Sequence, residues 1–264
     1  MCKGNVGSAI VILTERFMKK NILGVKIDDV ASSEVLELVG KWLKGDGKHY
    51  IVTPNPEIVV MAQKDKELKN IINNAELAIP DGVGLRLATD IVMTTPGIDV
   101  MEELVKLAAE KSFTIGLLGG RGDVANKTAE CLKKKYPKLK VTFAESGGEV
   151  DLDGTMSTNR PFGGSLPTTN LLFVAFGPPK QEKWIAKNLE DLDVKVAMGV
   201  GGAFDYISGK VPRAPRWIRS LGFEWLFRLI IQPWRIKRQL VLLKYLWLCC
   251  GKVNLWDKEK NDHH

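Results

Sequence analysis

A carboxylate, a hydroxyl and a carboxamide stand where an α/β chain usually presents its chemistry. Asp81 lies in Ile79-Pro80-Asp81-Gly82-Val83-Gly84, after the short apolar run Leu77-Ala78-Ile79. The run reads as a buried strand that proline and glycine stop, and the amphipathic pattern from Leu85 onward reads as a helix. The acid therefore sits at the carboxyl end of a strand, where open α/β sheets bind ligands. It can cap a helix by accepting its first N–H groups, or it can take a proton from a bound hydroxyl. Thr53 and Asn55 occupy a second such junction, Thr53-Pro54-Asn55-Pro56-Glu57, directly after the strand Tyr50-Ile51-Val52. Capping and turn formation are the ordinary work of these residue types. A turn that already holds two prolines needs little further capping, which favours a role at a site.

Three more junctions have the same form. Phe113 to Leu118 enters Gly119-Gly120, and Leu171 to Phe176 enters Gly177-Pro178-Pro179-Lys180-Gln181. Val194 to Met198 enters Gly199-Val200-Gly201-Gly202, with Asp205 three residues on. Glycines let backbone approach a phosphate, and the helix that follows attracts anions. The elements that must position these groups alternate. Helices are expected over Ser32–Leu43, from near Glu57, over Ile98–Lys111 and over Asp123–Tyr136, with strands at Ile22–Ile27 and Leu139–Phe143. Glu145–Thr169, rich in Gly, Ser, Thr and Pro, reads as an irregular loop. The fold class is α/β: a Rossmann-like, mainly parallel sheet with helices on both faces, plus a C-terminal basic amphipathic helical appendage. Thr53-Asn55, Asp81, Gly119-Gly120, Gln181 and Gly201-Gly202 then share one sheet edge, which is a candidate active site.

The 264 residues divide into an N-terminal extension (1–20), the α/β domain (21–210), the appendage (211–250) and a polar tail (251–264). A hydrophobic fraction of 45% allows a sizeable core. The run Ala9–Leu13 is followed by Glu15-Arg16 without a small-residue cleavage site, so it is not read as a secretory signal. The four cysteines show no metal-ligand spacing and suit a reducing compartment. The net charge of +7 calls for an anionic partner. Between Val211 and Lys244 eight Arg and Lys residues face only Glu224, interleaved with Trp217, Phe223, Trp225, Phe227 and Trp234. Such a helix suits an anionic membrane surface. Packing against the main domain or another subunit is the second reading. Single-stranded nucleic acid is the third, and the aliphatic character of the apolar face argues against it.

The motifs, in order, resemble the WecG/TagA/CpsF glycosyltransferases. They are Thr53-Pro54-Asn55-x-Glu57, Pro80-Asp81-Gly82-x-Gly84, Leu117-Leu118-Gly119-Gly120, Gly177-x-Pro179-Lys180-Gln181-Glu182, Gly199-x-Gly201-Gly202-x-Phe204-Asp205, Arg213-Ala214-Pro215 and Glu224-Trp225-Leu226-x-Arg228-Leu229. The resemblance covers roughly residues 22 to 245. It implies inverting transfer of N-acetylmannosamine or a related hexose from a UDP-sugar to a sugar on undecaprenyl diphosphate. That places the enzyme as a peripheral protein on the inner face of the cell membrane, in cell-surface polysaccharide or teichoic acid synthesis. By position, Asp81 resembles the family's general base, with Thr53 and Asn55 beside it and Gln181 at another pocket position. Arg228, Arg235 and Arg238 resemble a cationic clamp on the diphosphate, so no metal and no cofactor is expected. A homo-oligomer is compatible with the resemblance. One departure stands out: the family's Arg-Val-x-Gly segment is replaced by Met93-Thr94-Thr95-Pro96-Gly97, without the arginine. It keeps open an alternative, a weakened UDP-sugar-binding or scaffold protein at the membrane.

Overall fold

The computed structural model describes residues 17–87, 89–91, 93–156 and 166–261, without the side chains of 237–239 and 252–261. Most of the expected 1–20 extension, residues 157–165 of the irregular loop and the side chain of Arg238 lie outside this description.

Two strands, β1 (Met18–Ile22) and β2 (Val25–Asp29), form an antiparallel hairpin. The sequence predicts a single strand over Ile22–Ile27 instead. The chain reverses there because Leu23 and Gly24 both take positive φ, 54° and 84°, and Asn21 Oδ1 accepts the Gly24 N–H at 2.8 Å. After helix α1 (Ser32–Trp42) the main sheet begins with β3 (His49–Val52). Helices α2 (Pro56–Ala62) and α3 (Lys66–Asn74) lead to β4 (Leu77–Ala78). The sequence pattern shows the first of these helices but not α3, which Asp65 opens by accepting the Leu68 N–H at 2.9 Å. Helix α4 (Gly97–Lys111), β5 (Thr114–Gly119), α5 (Val124–Lys135), β6 (Lys140–Glu145), β7 (Thr169–Ala175), α6 (Lys180–Asn188) and β8 (Val194–Gly199) complete the alternation.

The six strands β3–β8 make one wholly parallel sheet in the order β4-β3-β8-β7-β5-β6. Successive residues of a strand face opposite sides, and here both sides are apolar. Leu171 and Phe173 join one core with α1, α4 and α5, whereas Leu172 and Val174 join another with α6. This two-sided burial is why β7 reads as an unbroken apolar run.

The expected helix from Leu85 is only a 3₁₀ turn, Val83–Leu87. The Leu85 carbonyl, which an α-helix would give to the N–H of residue 89, is taken by two side chains: Thr89 Oγ1 at 3.1 Å and Tyr245 Oη at 3.4 Å.

Helix α7 (Ala203–Ile207) closes the α/β domain, and the tail is helical: α8 (Arg216–Ser220), α9 (Glu224–Ile231) and α10 (Ile236–Asn261). Tyr245 is fully buried and Cys249 nearly so, in a third core shared with Ile58, Val59 and Leu85. Gly84 permits this close approach, since a Cβ there would come 2.8 Å from Pro56 Cγ and 3.2 Å from Leu242 Cδ1. Trp217, Trp234 and Trp247 remain 66%, 72% and 71% exposed. Among the described residues no helix is long and apolar enough to cross a membrane.

Candidate active site

A parallel sheet sends every strand out at the same edge, so the five polar junctions meet there, and main-chain bonds stitch them together. The Ile79 N–H donates to the Val52 carbonyl and the Asp81 N–H to the Pro54 carbonyl, each at 2.9 Å. The loop carrying Asp81 is thereby fastened to the loop carrying Thr53 and Asn55. Across the sheet, Gly120 N–H donates to the Ala175 carbonyl at 3.1 Å and Val200 N–H to the Val174 carbonyl at 2.9 Å.

Asp81 does cap a helix, but not the one next in sequence. Its Oδ1 accepts the N–H of Gly97, sixteen residues on and the first residue of α4, at 3.2 Å. The Thr95 N–H donates to the Pro80 carbonyl at 3.1 Å and closes the intervening loop. Burial disfavours the charged carboxylate and is the main reason its pKa is raised to about 6. The Gly97 N–H opposes that shift, Glu224 and Asp99 add to it, and Arg213 opposes it. A carboxyl tuned to that range is ionised in most molecules at neutral pH yet remains basic enough to accept a proton.

Thr53 is buried beside it. A Cβ on Gly97 would come 3.2 Å from Thr53 Cγ2, and Thr53 Oγ1 donates to the Gly199 carbonyl at 3.2 Å. Asn55 does the ordinary work of its residue type: its Oδ1 accepts the Ile58 N–H at 3.0 Å, capping α2.

Gln181 is almost wholly buried and acts on loops. Its Oε1 accepts the N–H of Gly177 at 3.1 Å and of Gly201 at 3.0 Å, joining the turns after β7 and β8. Its Nε2 donates to Glu182 Oε1 at 2.8 Å. Glu182 is fully buried, its Oε2 has no hydrogen-bond partner among the described residues, and burial pushes its pKa up to about 7.

The tail reaches the same edge. Arg228 lies against the Gly201-Gly202 turn, since a Cβ on Gly202 would come 3.0 Å from Arg228 Nη2. Its guanidinium carbon stands 4.6 Å from the centroid of the Tyr206 ring. Arg228 Nε (3.4 Å) and Arg235 Nη1 (3.0 Å) both donate to Gln232 Oε1, which draws the two cations together. Asp205 faces Lys210 at 3.7 Å. Gly119 and Gly120 complete the edge two strands from β8, with Gly119 at φ 112° and too close to the Ala175 backbone to carry a side chain. Asp153, in the loop after β6, is engaged with Thr155 and Lys187. Among the described residues no group of three or more His, Cys, Asp or Glu side chains is placed to hold a metal ion.

The sequence points to the five polar junctions and to the tail arginines, but assigns no role to Gly97, Asp99, Glu182, Tyr206, Arg213 or Gln232. Arg213 carried a visible signal, since it stands between two prolines in a segment where Glu224 is the one opposing charge.

A carboxyl on the rim, a glycine-rich edge and paired arginines beside it could together serve group transfer. The sequence profile of the Glycosyl transferase WecG/TagA/CpsF family matches residues 20–259. The chain belongs to that family. This glycosyltransferase is 34% identical over 233 residues to the N-acetylglucosaminyldiphosphoundecaprenol N-acetyl-beta-D-mannosaminyltransferase of Bacillus subtilis (strain 168), covering 82% of this chain and 89% of that one. It is 33% identical over 227 residues to the enzyme of the same name from Staphylococcus aureus (strain MRSA252), covering 83% and 87%. The family match spans both the sheet and the helical tail.

Proposed function

We propose that this glycosyltransferase moves a hexose, N-acetylmannosamine or a close relative, from a UDP-sugar to a sugar carried on undecaprenyl diphosphate, with inversion. The acceptor and the transferred sugar are those for which the relatives are named. The observation that carries the mechanism is the Asp81 carboxyl, held on the sheet edge by the Gly97 N–H and kept basic by burial.

In the proposed step Asp81 takes the proton of the acceptor hydroxyl as its oxygen attacks the anomeric carbon. The bond from that carbon to the diphosphate breaks, and UDP leaves with the electron pair. A single displacement enters opposite the leaving group and so inverts the centre. Arg228 and Arg235 take up the charge on the diphosphate through charge-assisted hydrogen bonds. In this scheme no metal is required. Thr53 orients sugar hydroxyls at the base, and Gln181 shapes the pocket by holding the turns at Gly177 and Gly201. The glycine backbone at Gly119-Gly120 leaves room for the nucleotide, and the exposed Trp217, Trp234 and Trp247 dock the tail on an anionic membrane surface.

The deciding test is Asp81→Asn, which keeps the shape and removes the base. Transfer to a lipid-diphosphate acceptor should fall by about 10³-fold while the unfolding midpoint stays near wild type. Turnover close to wild type would refute the assignment.

A further inference from the structure

Arg213 is fixed in place before its side chain does anything. Pro212 and Pro215 restrict the backbone on either side. Val211 and Ala214 are buried, and the Val211 N–H donates to the Asp205 carbonyl at 2.9 Å. From this rigid segment the guanidinium spans two elements. Its Nη1 lies 2.7 Å from Asp99 Oδ1 in the first turn of α4. Its Nε donates to Glu224 Oε1, at the first residue of α9, at 3.2 Å. Arg219 adds a longer contact to Asp99, 3.8 Å. The planar fork of arginine serves two acids at once in fixed directions, which a lysine ammonium on a flexible stem does not. Two residues before Asp99, on the same turn of α4, is Gly97, the donor to Asp81. The turn that holds the carboxylate is thus held by an arginine that also grips the tail.

We propose that Arg213 is a positioning residue for the transfer reaction: by bridging Asp99 and Glu224 it fixes the α4 turn on which Asp81 rests and couples the seating of the tail to the reactivity of that carboxylate. The proposal rests on the assignment of Asp81 as the base. The charges that bear on Asp81 from the surrounding elements support it. Asp99 on α4 and Glu224 on α9 disfavour its ionised form, and Arg213 favours it, while Arg219 meets the group through Asp99. Glu224 and Arg213 therefore act on Asp81 with opposite signs although they are partners in one ion pair. Breaking the pair from either side loosens the same contact. Only coupling to Asp81 makes the two breaks pull in opposite directions.

The test measures kcat/KM against pH for sugar transfer to a synthetic lipid-diphosphate acceptor, with wild type, Arg213→Gln and Glu224→Gln. The acidic limb should move up in Arg213→Gln and down in Glu224→Gln, in opposite directions from wild type. Arg213→Lys, which keeps the charge but not the fork, should leave the limb near wild type while lowering kcat. Limbs that stay put, or that move the same way in both neutral variants, overturn the proposal. Should Arg213→Gln fail to fold, Glu224→Gln decides alone: a lowered limb supports the coupling, and an unmoved or raised limb overturns it. Asp81→Asn assayed alongside separates the two readings. Turnover near wild type there overturns the base assignment itself, whereas a dead Asp81→Asn with unmoved limbs overturns the coupling and leaves the base standing.

Discussion

Glu182 offers a measurement that needs no substrate. Its carboxyl is fully buried at the start of α6, one oxygen accepting from Gln181 Nε2 and the other without a partner among the described residues. In the unfolded chain it titrates near its ordinary value of 4.5, and in the folded protein near about 7. The folded state thus holds the proton more tightly. The stability this gives is complete below about pH 4.5 and is lost as the pH rises toward 7. At about 1.4 kcal/mol per pH unit, the loss across that window is about 3 kcal/mol. Other carboxylates titrate in the same range, so the useful quantity is a difference between wild type and Glu182→Gln. The amide matches the protonated acid in shape and still presents an oxygen to Gln181, but it cannot ionise. Urea unfolding of both proteins at half-unit intervals from pH 4.5 to 8 isolates the contribution. The variant should gain on wild type by about 3 kcal/mol between the two ends, roughly 1 M in urea midpoint at the denaturant slope of a chain of this size. A stability difference that does not change with pH would show that Glu182 is ionised at no cost in the fold, and the reasoning from its burial would fail.

The other expectations concern the site edge and the tail. The kcat/KM of the wild-type enzyme should rise with pH through about 6, the value to which burial lifts Asp81, and level off above it; a flat profile between pH 5 and 8 would contradict a basic role. Gly119→Ala should destabilise the fold by about 3 kcal/mol or more, because φ is 112° and the new Cβ would lie 2.7 Å from the Ala175 carbonyl carbon, and thermal unfolding reads this directly. Tyr245→Ala should cost about 3–5 kcal/mol as a large core truncation, whereas Trp247→Ser, two residues along and exposed, should leave the melting temperature alone and weaken flotation with anionic liposomes.

The architecture was legible because two-sided burial writes itself into the sequence. The apolar run at 171–176 and the β-branched segment at 194–198, each short and closed by glycine, read as central strands, and with strands alternating with helices the polar loops leave at one edge. That pattern alone puts Thr53, Asp81, Gln181 and the Gly201-Gly202 turn at one edge. What failed was local chemistry that depends on distant partners. The pattern after Leu85 looks helical, and nothing nearby reveals that Tyr245, 160 residues on, competes for the Leu85 carbonyl. The partner of Asp81 is equally hidden, since the helix it caps begins sixteen residues later. Asn55 shows the opposite case: the two prolines around it argue against a capping role, yet the side chain caps α2 as its type ordinarily does.

The tail shows why composition alone poses a false choice. Membrane docking and packing on the domain look like rivals when the sequence is read as one amphipathic stripe, because one apolar face can be buried only once. In the structure α10 divides its residues. Tyr245 and Cys249 turn inward to the core that supports the Asp81 loop, while Leu240, Leu243 and Trp247 stay outside. On the preceding segment Arg228 stands against Gly202 while Ile230 and Trp234 are exposed. A bilayer meeting the outer face therefore need not pull the helix from the domain. It would add burial to residues that are mostly exposed and leave the contacts with Leu85 and Gly202 intact. Attachment to such a surface would thus be compatible with the position of the tail in which Arg228 stands against the Gly201-Gly202 turn at the sheet edge.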